Sequence, residues 1–371
     1  MRIGIDVSKI GDKDGIGRYT YHLVKALMEL DAVNEYTLFN LFHRPSVDDP
    51  SAVLGKLPPN VAFSSDKVPS VDGLDLFHGT AYKVPSNFLN KLVFTVHDLT
   101  FVTHPEFHAL QNRIHCVMGT VSAVCQAATF IAVSNHTKRD MVTQLVVPEN
   151  RVNVVHLAAD EHFSPTQHGG REHVAAKYGI RSRYIFNLGT IEPRKNLKRL
   201  IQAYAMLPTA RKEECSLVIG GGAGWLNSDI YRYVQDNNLG QYVKMIGNVD
   251  DEDLPALYGS CEVFVYPSVY EGFGLPVLEA MACGAPVITS RTSSLPEVAG
   301  DGAILVDPED VQSIRDAMED LLTNGGKRSE LREKGLKHSM SFSWRRTAKE
   351  TLGVYERTAK APESMKRTFR T

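Results

Sequence analysis

"VFVYPSVYEGFGLPVLEAMACGAPVITS" (263–290) decides the fold. Its first four residues are apolar without interruption, as in a strand buried on both faces. "VYEGFG" is a glycine turn. "LPVLEAMACG" has helical spacing, with Pro276 in the first turn, where its missing N–H costs nothing. Gly284 sits where helices end. "PVITS" is then a second buried strand. Strand, turn, helix and strand in this order build a parallel sheet, because parallel neighbours need a long crossover.

The same unit recurs on both sides. The first half offers strands at 2–7, 36–42, 74–79, 92–98, 129–134 and 152–157. The second offers 184–190, 216–222, 243–248, 263–268, 286–290 and 303–308. Amphipathic stretches such as "RYTYHLVKALMEL" (18–30) lie between them. At 371 residues the chain exceeds one comfortable core. An α/β fold of two doubly wound parallel-sheet domains is expected, divided near the polar stretch "SPTQHGGREH" (164–173). That gives domains at 1–165 and 172–342, then a terminal segment at 343–371 with one helix and a short basic tail. The tail beyond Pro362 reads as disordered or as a contact with a membrane surface.

Composition narrows the function. A net charge of −2 gives no bulk attraction to nucleic acid. Five cysteines without C-x-x-C spacing read as free thiols in a reducing compartment. The N-terminus reads as a strand and a polar loop, not a signal peptide. No window of 18 apolar residues could span a membrane. A cytoplasmic protein is expected, with peripheral attachment to a membrane left open.

In doubly wound sheets, ligands bind at the carboxyl ends of the strands, and the unusual residues cluster there. In the first half these are Gly15, Gly17 and Arg18 of "GDKDGIGRY", His78, His97 and Asp98, and Ser134 as a helix N-cap. In the second half, "GTIEPRKN" holds Arg194 and Lys195. "GNV" supplies Gly247, Asn248 and Val249. "YEGFGLP" supplies the amides of Phe273, Gly274 and Leu275. Two such edges can face each other across a cleft.

The turn at 270–275 suits an anion, since amides at a helix start point outward along the dipole. Glu279 lies one turn into the helix, and helical side chains lean back toward the N-terminus. It can accept hydrogen bonds from a ribose diol. Glu271 can meet another hydroxylated group. Arg194 and Lys195 would supply the counter-charge for a diphosphate, because cations at a helix start are unfavourable without an anion. A phosphate cradle between two hydroxyl acceptors describes a nucleotide-sugar; an ordinary strand–turn–helix with solvated glutamates is the alternative. The glycine loops at 11–17 and 220–224 each miss the dinucleotide pattern, though Gly15 and Gly17 allow close approach of a phosphate or sugar. Asp251 and Asp253 resemble a metal-binding pair but read better as charges capping a short helix. No His or Cys cluster has metal spacing, so no metal is expected. His97, ending a buried strand, reads equally as structural or functional.

These motifs resemble the retaining glycosyltransferases of family 4. The segments that carry the likeness are Glu271-x7-Glu279 within "PSVYEGFGLPVLEAMACGAPVITS", "GTIEPRKN", and "GIGRYTYHLVKAL". The resemblance covers nearly the whole chain. It implies the GT-B fold, two Rossmann-like domains facing a central cleft, with the C-terminal helix returning to the first. "HDLTFVTHPEFH" (97–108) and "FHGTAYKVP" (77–85) look most like bacterial polysaccharide mannosyltransferases using GDP-mannose. By that resemblance Arg194 and Lys195 hold the donor diphosphate and Glu279 the ribose. Glu271 and His97 contact the sugar, and residues 247–249 meet the base. By the same resemblance the acceptor is a glycan or lipid-linked sugar, with Arg18, His78, Asp98 and Ser134 as acceptor-side candidates, and no cofactor is needed. Many members carry Arg where Thr190 stands here, which leaves that diphosphate contact to Arg194 or to no residue.

Three alternatives stay open. A UDP- or ADP-sugar could be the donor. A glycoside hydrolase could use Glu271 and Glu279 as acid and nucleophile, although neutral glycosides need no basic pair. A non-catalytic sugar-nucleotide sensor would bind without slow donor hydrolysis.

Overall fold

The computed structural model describes residues 1–41, 50–64, 73–82, 91–165, 170–181, 183–222, 224 and 228–361. The chain divides into two compact units, Met1–Leu157 with Ser343–Thr371, and Ala158–Phe342. Passage from the first unit to the second falls between Leu157 and Ala158, just before the polar stretch 164–173. The basic tail from Pro362 lies outside the described residues.

The first unit holds a seven-stranded sheet. Its strands are β1 (Arg2–Asp6), β2 (Glu35–Phe39), β3 (Val61–Ser64), β4 (Leu76–Gly79), β5 (Leu92–Val96), β6 (Ala127–Ala132) and β7 (Val152–Val154). They run in the order β3-β2-β1-β4-β5-β6-β7, and every pairing is parallel. The second unit holds six strands: β8 (Arg183–Leu188), β9 (Cys215–Gly220), β10 (Val243–Gly247), β11 (Val263–Tyr266), β12 (Val287–Ser290) and β13 (Ala303–Val306). Their order is β10-β9-β8-β11-β12-β13, again all parallel. Both units are Rossmann-like, the architecture of the GT-B fold.

Continuous apolar runs became central strands for the expected reason. Every residue of β5 and of β11 is buried, so neither face could carry a solvated side chain. β3 was not expected. It is a four-residue edge strand paired only with β2, and it follows Pro58 and Pro59, which read as a breaker.

The strand orders position the sites. Chain direction across the sheet reverses between β1 and β4 in one unit, and between β8 and β11 in the other. Loops leaving such neighbouring strands diverge and open a crevice at the carboxyl edge.

The helix Gly15–Leu30 begins at Asp14, whose side chain accepts from the Gly17 amide at 2.8 Å. The last helix, Trp344–Lys360, belongs to the first unit. Its Trp344 stacks on His22 with centroids 5.0 Å apart, and Thr347 donates to the His156 carbonyl at 2.7 Å. No described helix is long and apolar enough to cross a membrane.

Candidate active site

In the second unit the loops leaving β8 and β11 are stitched together. Pro193–Lys195 form one 3-10 turn, which ends at Asn196 in the left-handed conformation (φ 59°, ψ 29°). The Asn196 amide group donates to the carbonyls of Pro267 at 3.0 Å and Pro308 at 2.6 Å. The Val269 amide donates to the Arg194 carbonyl at 2.9 Å. Arg194 and Lys195 are thereby brought over the turn that carries Glu271.

Glu271 is buried and fully engaged. Arg194 Nη1 donates to its Oε2 at 2.6 Å, and Lys195 Nζ to its Oε1 at 2.7 Å. Ser268 and Tyr266 donate their hydroxyls to Oε1 at 2.7 and 2.9 Å. Arg194 Nη2 also reaches Glu192 at 2.6 Å. Two cations thus face two carboxylates. Burial alone would raise the Glu271 pKa, but Arg194 and Lys195 outweigh it and hold the carboxyl down at about 2. Burial lowers the Lys195 pKa, reinforced by Arg194 and opposed by Glu271 and Glu192.

The expectation that Glu271 stands free in its turn is therefore corrected. Its partners are the two cations expected to face a diphosphate. The reason is electrostatic: buried cations must be paired, and the nearest available anion is this carboxylate.

The helix Leu275–Ala282 starts from Gly274, at φ 114°. A Cβ there would also meet Leu295 at 2.7 Å, so the backbone conformation and the packing inside the unit both require glycine. Ser294 Oγ donates to the carbonyls of Glu271 at 2.9 Å and Phe273 at 2.7 Å, which fixes the turn. The Leu275 side chain is buried. Glu279 is buried too, and accepts from the Tyr258 hydroxyl at 3.0 Å. Tyr258 in turn packs edge-on against Phe264, 5.0 Å away. The two glutamates of the motif thus have different surroundings: one sits in an ionic cluster, the other against aromatic rings.

The glycines after β9 serve close loop packing. A Cβ on Gly221 would lie 2.0 Å from the Gly189 carbonyl oxygen, and one on Gly224 would lie 2.6 Å from that of Ile191. Ala223 and Trp225 lie outside the described residues. Gly247 (φ 70°) and Asn248 are exposed, and Val249 packs toward Gly220.

Asp253 differs from expectation in detail. It does not cap the helix Leu254–Ser260 through its side chain. It accepts from Lys177 at 2.5 Å, Tyr178 at 2.7 Å and His173 at 3.0 Å. Among the described residues, no group of three or more His, Cys, Asp or Glu is placed to hold a metal ion.

The first unit has a neutral counterpart. His78 is fully buried, with Nδ1 2.6 Å from the Tyr355 hydroxyl and Nε2 2.7 Å from Thr95 Oγ1. Thr95 continues to the Tyr19 hydroxyl at 2.8 Å, and the Tyr19 ring meets His97 edge-on at 4.9 Å. Burial holds the His78 pKa at about 3, with the neighbouring His97 adding to the effect. Burial also lowers the His97 pKa, opposed by the Thr80 carbonyl, Asp98 and Asp14. His97 Nε2 must donate to that carbonyl, 2.9 Å away, so the neutral ring keeps its lone pair on Nδ1.

The acceptor-side candidates are not alike. His78 departs from the expectation, because both faces of β4 are interior and its ring nitrogens are spent inside the unit. Ser134 is buried and caps the helix Asn135–Gln144, accepting from the Thr137 amide at 3.0 Å. Asp98 accepts from the Thr100 amide at 3.0 Å, and Arg18 is half-buried. Gly17 would place a Cβ 2.0 Å from the Asp12 carbonyl oxygen, so its own loop explains it; at Gly15 a Cβ would meet open space.

Comparison with known proteins now bears on this arrangement. Residues 171–338 match the family model described as glycosyl transferases group 1. The chain is 31% identical over 368 residues to the O-antigen chain mannosyltransferase B of Escherichia coli, covering 92% of this chain and 96% of that one. The chain belongs to the group 1 glycosyl transferases. Solved structures share the fold. Sucrose-phosphate synthase from Thermosynechococcus elongatus superposes with TM-score 0.75 at 21% identity, covering 96% of this chain and 98% of that chain. Anabaena HepE, in complex with UDP and glucose, superposes with TM-score 0.74 at 17% identity, covering 95% and 98%.

Sequence reasoning missed several residues around the ionic cluster of this glycosyltransferase. Tyr266 ends the buried strand β11 yet bonds both Lys195 and Glu271. Ser268 and Glu192 complete the shell. The signal was available for Glu192, which lies inside "GTIEPRKN". For Tyr266 it was not, because a tyrosine ending an apolar strand reads as core.

Proposed function

We propose that this glycosyltransferase moves mannose from GDP-mannose onto a glycan or lipid-linked acceptor in bacterial surface polysaccharide synthesis, with retention of anomeric configuration. The second unit binds the donor and the first the acceptor. The observation that carries the donor-site reading is the pair Arg194–Lys195, held over Glu271 beside a helix start at the switch point of a parallel sheet. Similarity along nearly the whole chain to an O-antigen mannosyltransferase supports mannose as the sugar.

In this reading the donor diphosphate competes with Glu271 for the two cations. As it takes them, the Glu271 carboxylate turns to the sugar hydroxyls. Glu279 accepts from the ribose, residues 247–249 meet the base, and His97 presents its Nδ1 lone pair to the sugar. The bond from the anomeric carbon to the phosphate oxygen breaks while the acceptor oxygen attacks from the same face. The acceptor proton passes to the departing phosphate oxygen. Arg194, Lys195 and the amides of 273–275 stabilise the charge growing on that phosphate. No divalent metal takes part, a reading supported by the commitment of Asp253 to Lys177, Tyr178 and His173. Five cysteines, all free, support a cytoplasmic setting.

A hydrolase that uses Glu271 as general acid is disfavoured, because a carboxyl held at about 2 carries no proton near neutral pH. The test is a donor panel of GDP-mannose, UDP-glucose, UDP-GlcNAc and ADP-glucose. Thermal shift and slow donor hydrolysis are read for each, with and without EDTA. GDP-mannose should give the largest shift and EDTA-insensitive release of GDP. Preference for another donor would replace the sugar assignment. Binding without hydrolysis would indicate a sensor. Loss of activity in EDTA, restored by magnesium, would overturn the metal-free reading.

A further inference from the structure

The donors on Glu271 are shared unevenly between its two carboxylate oxygens. Oε1 accepts from Lys195 Nζ at 2.7 Å, Tyr266 Oη at 2.9 Å and Ser268 Oγ at 2.7 Å. Oε2 accepts, among the described residues, from Arg194 Nη1 alone. The main chain of Glu271 is held as well. Its amide donates to Ser293 Oγ at 3.0 Å, and its carbonyl accepts from Ser294 Oγ at 2.9 Å. If both cations turn to an incoming diphosphate, Oε2 loses its donor while Oε1 keeps the hydroxyls of Tyr266 and Ser268.

Of these two hydroxyls, Tyr266 is the committed one, since a hydroxyl has a single proton to give. Ser268 Oγ also lies 3.0 Å from the Arg194 carbonyl and 3.2 Å from that of Tyr270, so its proton has other acceptors. Tyr266 Oη receives Lys195 Nζ at 2.5 Å and gives its own proton to Glu271 Oε1. Its ring is fixed from several sides. β11 buries it, Phe264 stacks on it with centroids 5.9 Å apart, and Thr289 Oγ1 on β12 donates to its carbonyl at 2.9 Å. Burial pushes the Tyr266 pKa up and Glu271 adds to the rise, so the hydroxyl keeps its proton near neutral pH.

We infer that Tyr266 is a positioning residue for the transfer reaction: with Ser268 it keeps Oε1 of Glu271 in place once the donor diphosphate has drawn Arg194 and Lys195 away, and it leaves Oε2 as the oxygen that meets the sugar. The inference rests on the exchange of cations proposed above. It adds that the carboxylate changes partners without changing place. One oxygen held by hydroxyls, on a main chain held at both its N–H and its C=O, leaves the other oxygen little freedom. An apolar ring at this position would fill β11 equally well but let the released carboxylate turn. The hydroxyl that receives Lys195 before the donor binds thus serves Glu271 afterwards.

The test compares Tyr266→Phe with the wild type in the full chain, by calorimetry with GDP and by single-turnover hydrolysis of GDP-mannose. The substitution keeps the ring and removes only the hydroxyl. The rate should fall roughly ten- to a hundredfold, the scale of one hydrogen bond to a charged group, while GDP affinity stays within about threefold. Thermal melts check folding. Ser268→Ala should show the same split with a smaller loss, and it stands in if Tyr266→Phe melts early. Because Tyr266 acts through Glu271, Tyr266→Phe/Glu271→Ala should hydrolyse no more slowly than Glu271→Ala. A purely structural tyrosine would give additive losses instead. The inference is overturned by unchanged hydrolysis in folded Tyr266→Phe, or by additive losses in the double variant. GDP affinity that falls in step with the rate also overturns it, because Tyr266 would then serve Lys195. Those outcomes leave the donor reading standing. The donor reading fails, and the inference with it, if the wild type neither binds GDP nor hydrolyses GDP-mannose, or if Glu271→Ala weakens GDP binding as Lys195→Ala does.

Discussion

Each of the two units carries a buried polar cluster, and the two are built from opposite materials. In the second unit, Arg194, Lys195, Glu192 and Glu271 form a buried ionic cluster beside β8 and β11. In the first, Tyr355, His78, Thr95 and Tyr19 form a neutral chain across β4 and β5, ending against His97. Both buried clusters are satisfied by hydrogen bonds, as burial demands. They differ in what a ligand could do to them. An ionic cluster can exchange partners with an incoming anion at little electrostatic cost. A neutral chain with both ends occupied holds a shape instead.

Altering Glu271 should have the largest effect. Glu271→Gln should lower transfer about a hundredfold or more, the scale of losing a group poised at the reacting centre. GDP affinity should be unchanged or stronger, because Arg194 and Lys195 lose a competitor. Lys195→Ala should weaken both, the rate more than the affinity. Calorimetry with GDP beside single-turnover kinetics decides. Equal loss of GDP affinity in the two variants would show that Glu271 holds the donor with the cations rather than against them.

Acid should distinguish the clusters next. The lowered His78 pKa means that the unfolded chain takes up a proton below its ordinary value of 6.5. His78 therefore contributes stability that is full above pH 6.5 and is lost as pH falls toward about 3. Glu271 contributes stability that is full above its ordinary 4.5 and is lost on falling toward about 2. Each group costs about 1.4 kcal/mol per pH unit within its window. Melting temperature should begin to fall below pH 6.5, and His78→Gln should make the part above pH 4.5 shallower, with the lowered His97 pKa accounting for what slope is left. A wild-type curve flat down to pH 4.5 would remove the neutral chain from the account.

Glu279→Ala should weaken GDP binding by roughly 1.5–3 kcal/mol, the range for hydrogen bonds to a charged group. Unchanged affinity in a folded variant would remove Glu279 from the ribose role. The smallest expected change is Tyr355→Phe, which removes one hydroxyl from His78. It should cost about 1 kcal/mol of stability and leave GDP affinity intact.

Much of the fold was legible because strands buried on both faces have no freedom in composition. β5 and β11 could be read directly, and β3 could not, since four residues at an edge carry little pattern. At the sites, residue type at a strand end was informative but side-chain direction was not. Ser134 was readable as a cap because capping is local. His78 was misread because a strand end can turn inward. The convergence of Lys195 on Glu271 spans 76 residues of sequence, and only the strand order brings β8 beside β11. The exchange of an expected diphosphate for a carboxylate could not be read at all, because both satisfy the same cations.

The last helix has a consequence for biosynthesis. The first unit is discontinuous: its helix Trp344–Lys360 is made only after all of Ala158–Phe342. On a ribosome the second unit is complete in sequence while the first still lacks Tyr355, Trp344 and the seats they fill. The domain begun first is thus finished last, and His22 and His78 wait for their partners through the synthesis of an entire neighbour. Nascent chains arrested after Phe342 should give a protease-resistant second unit and an easily cleaved first one.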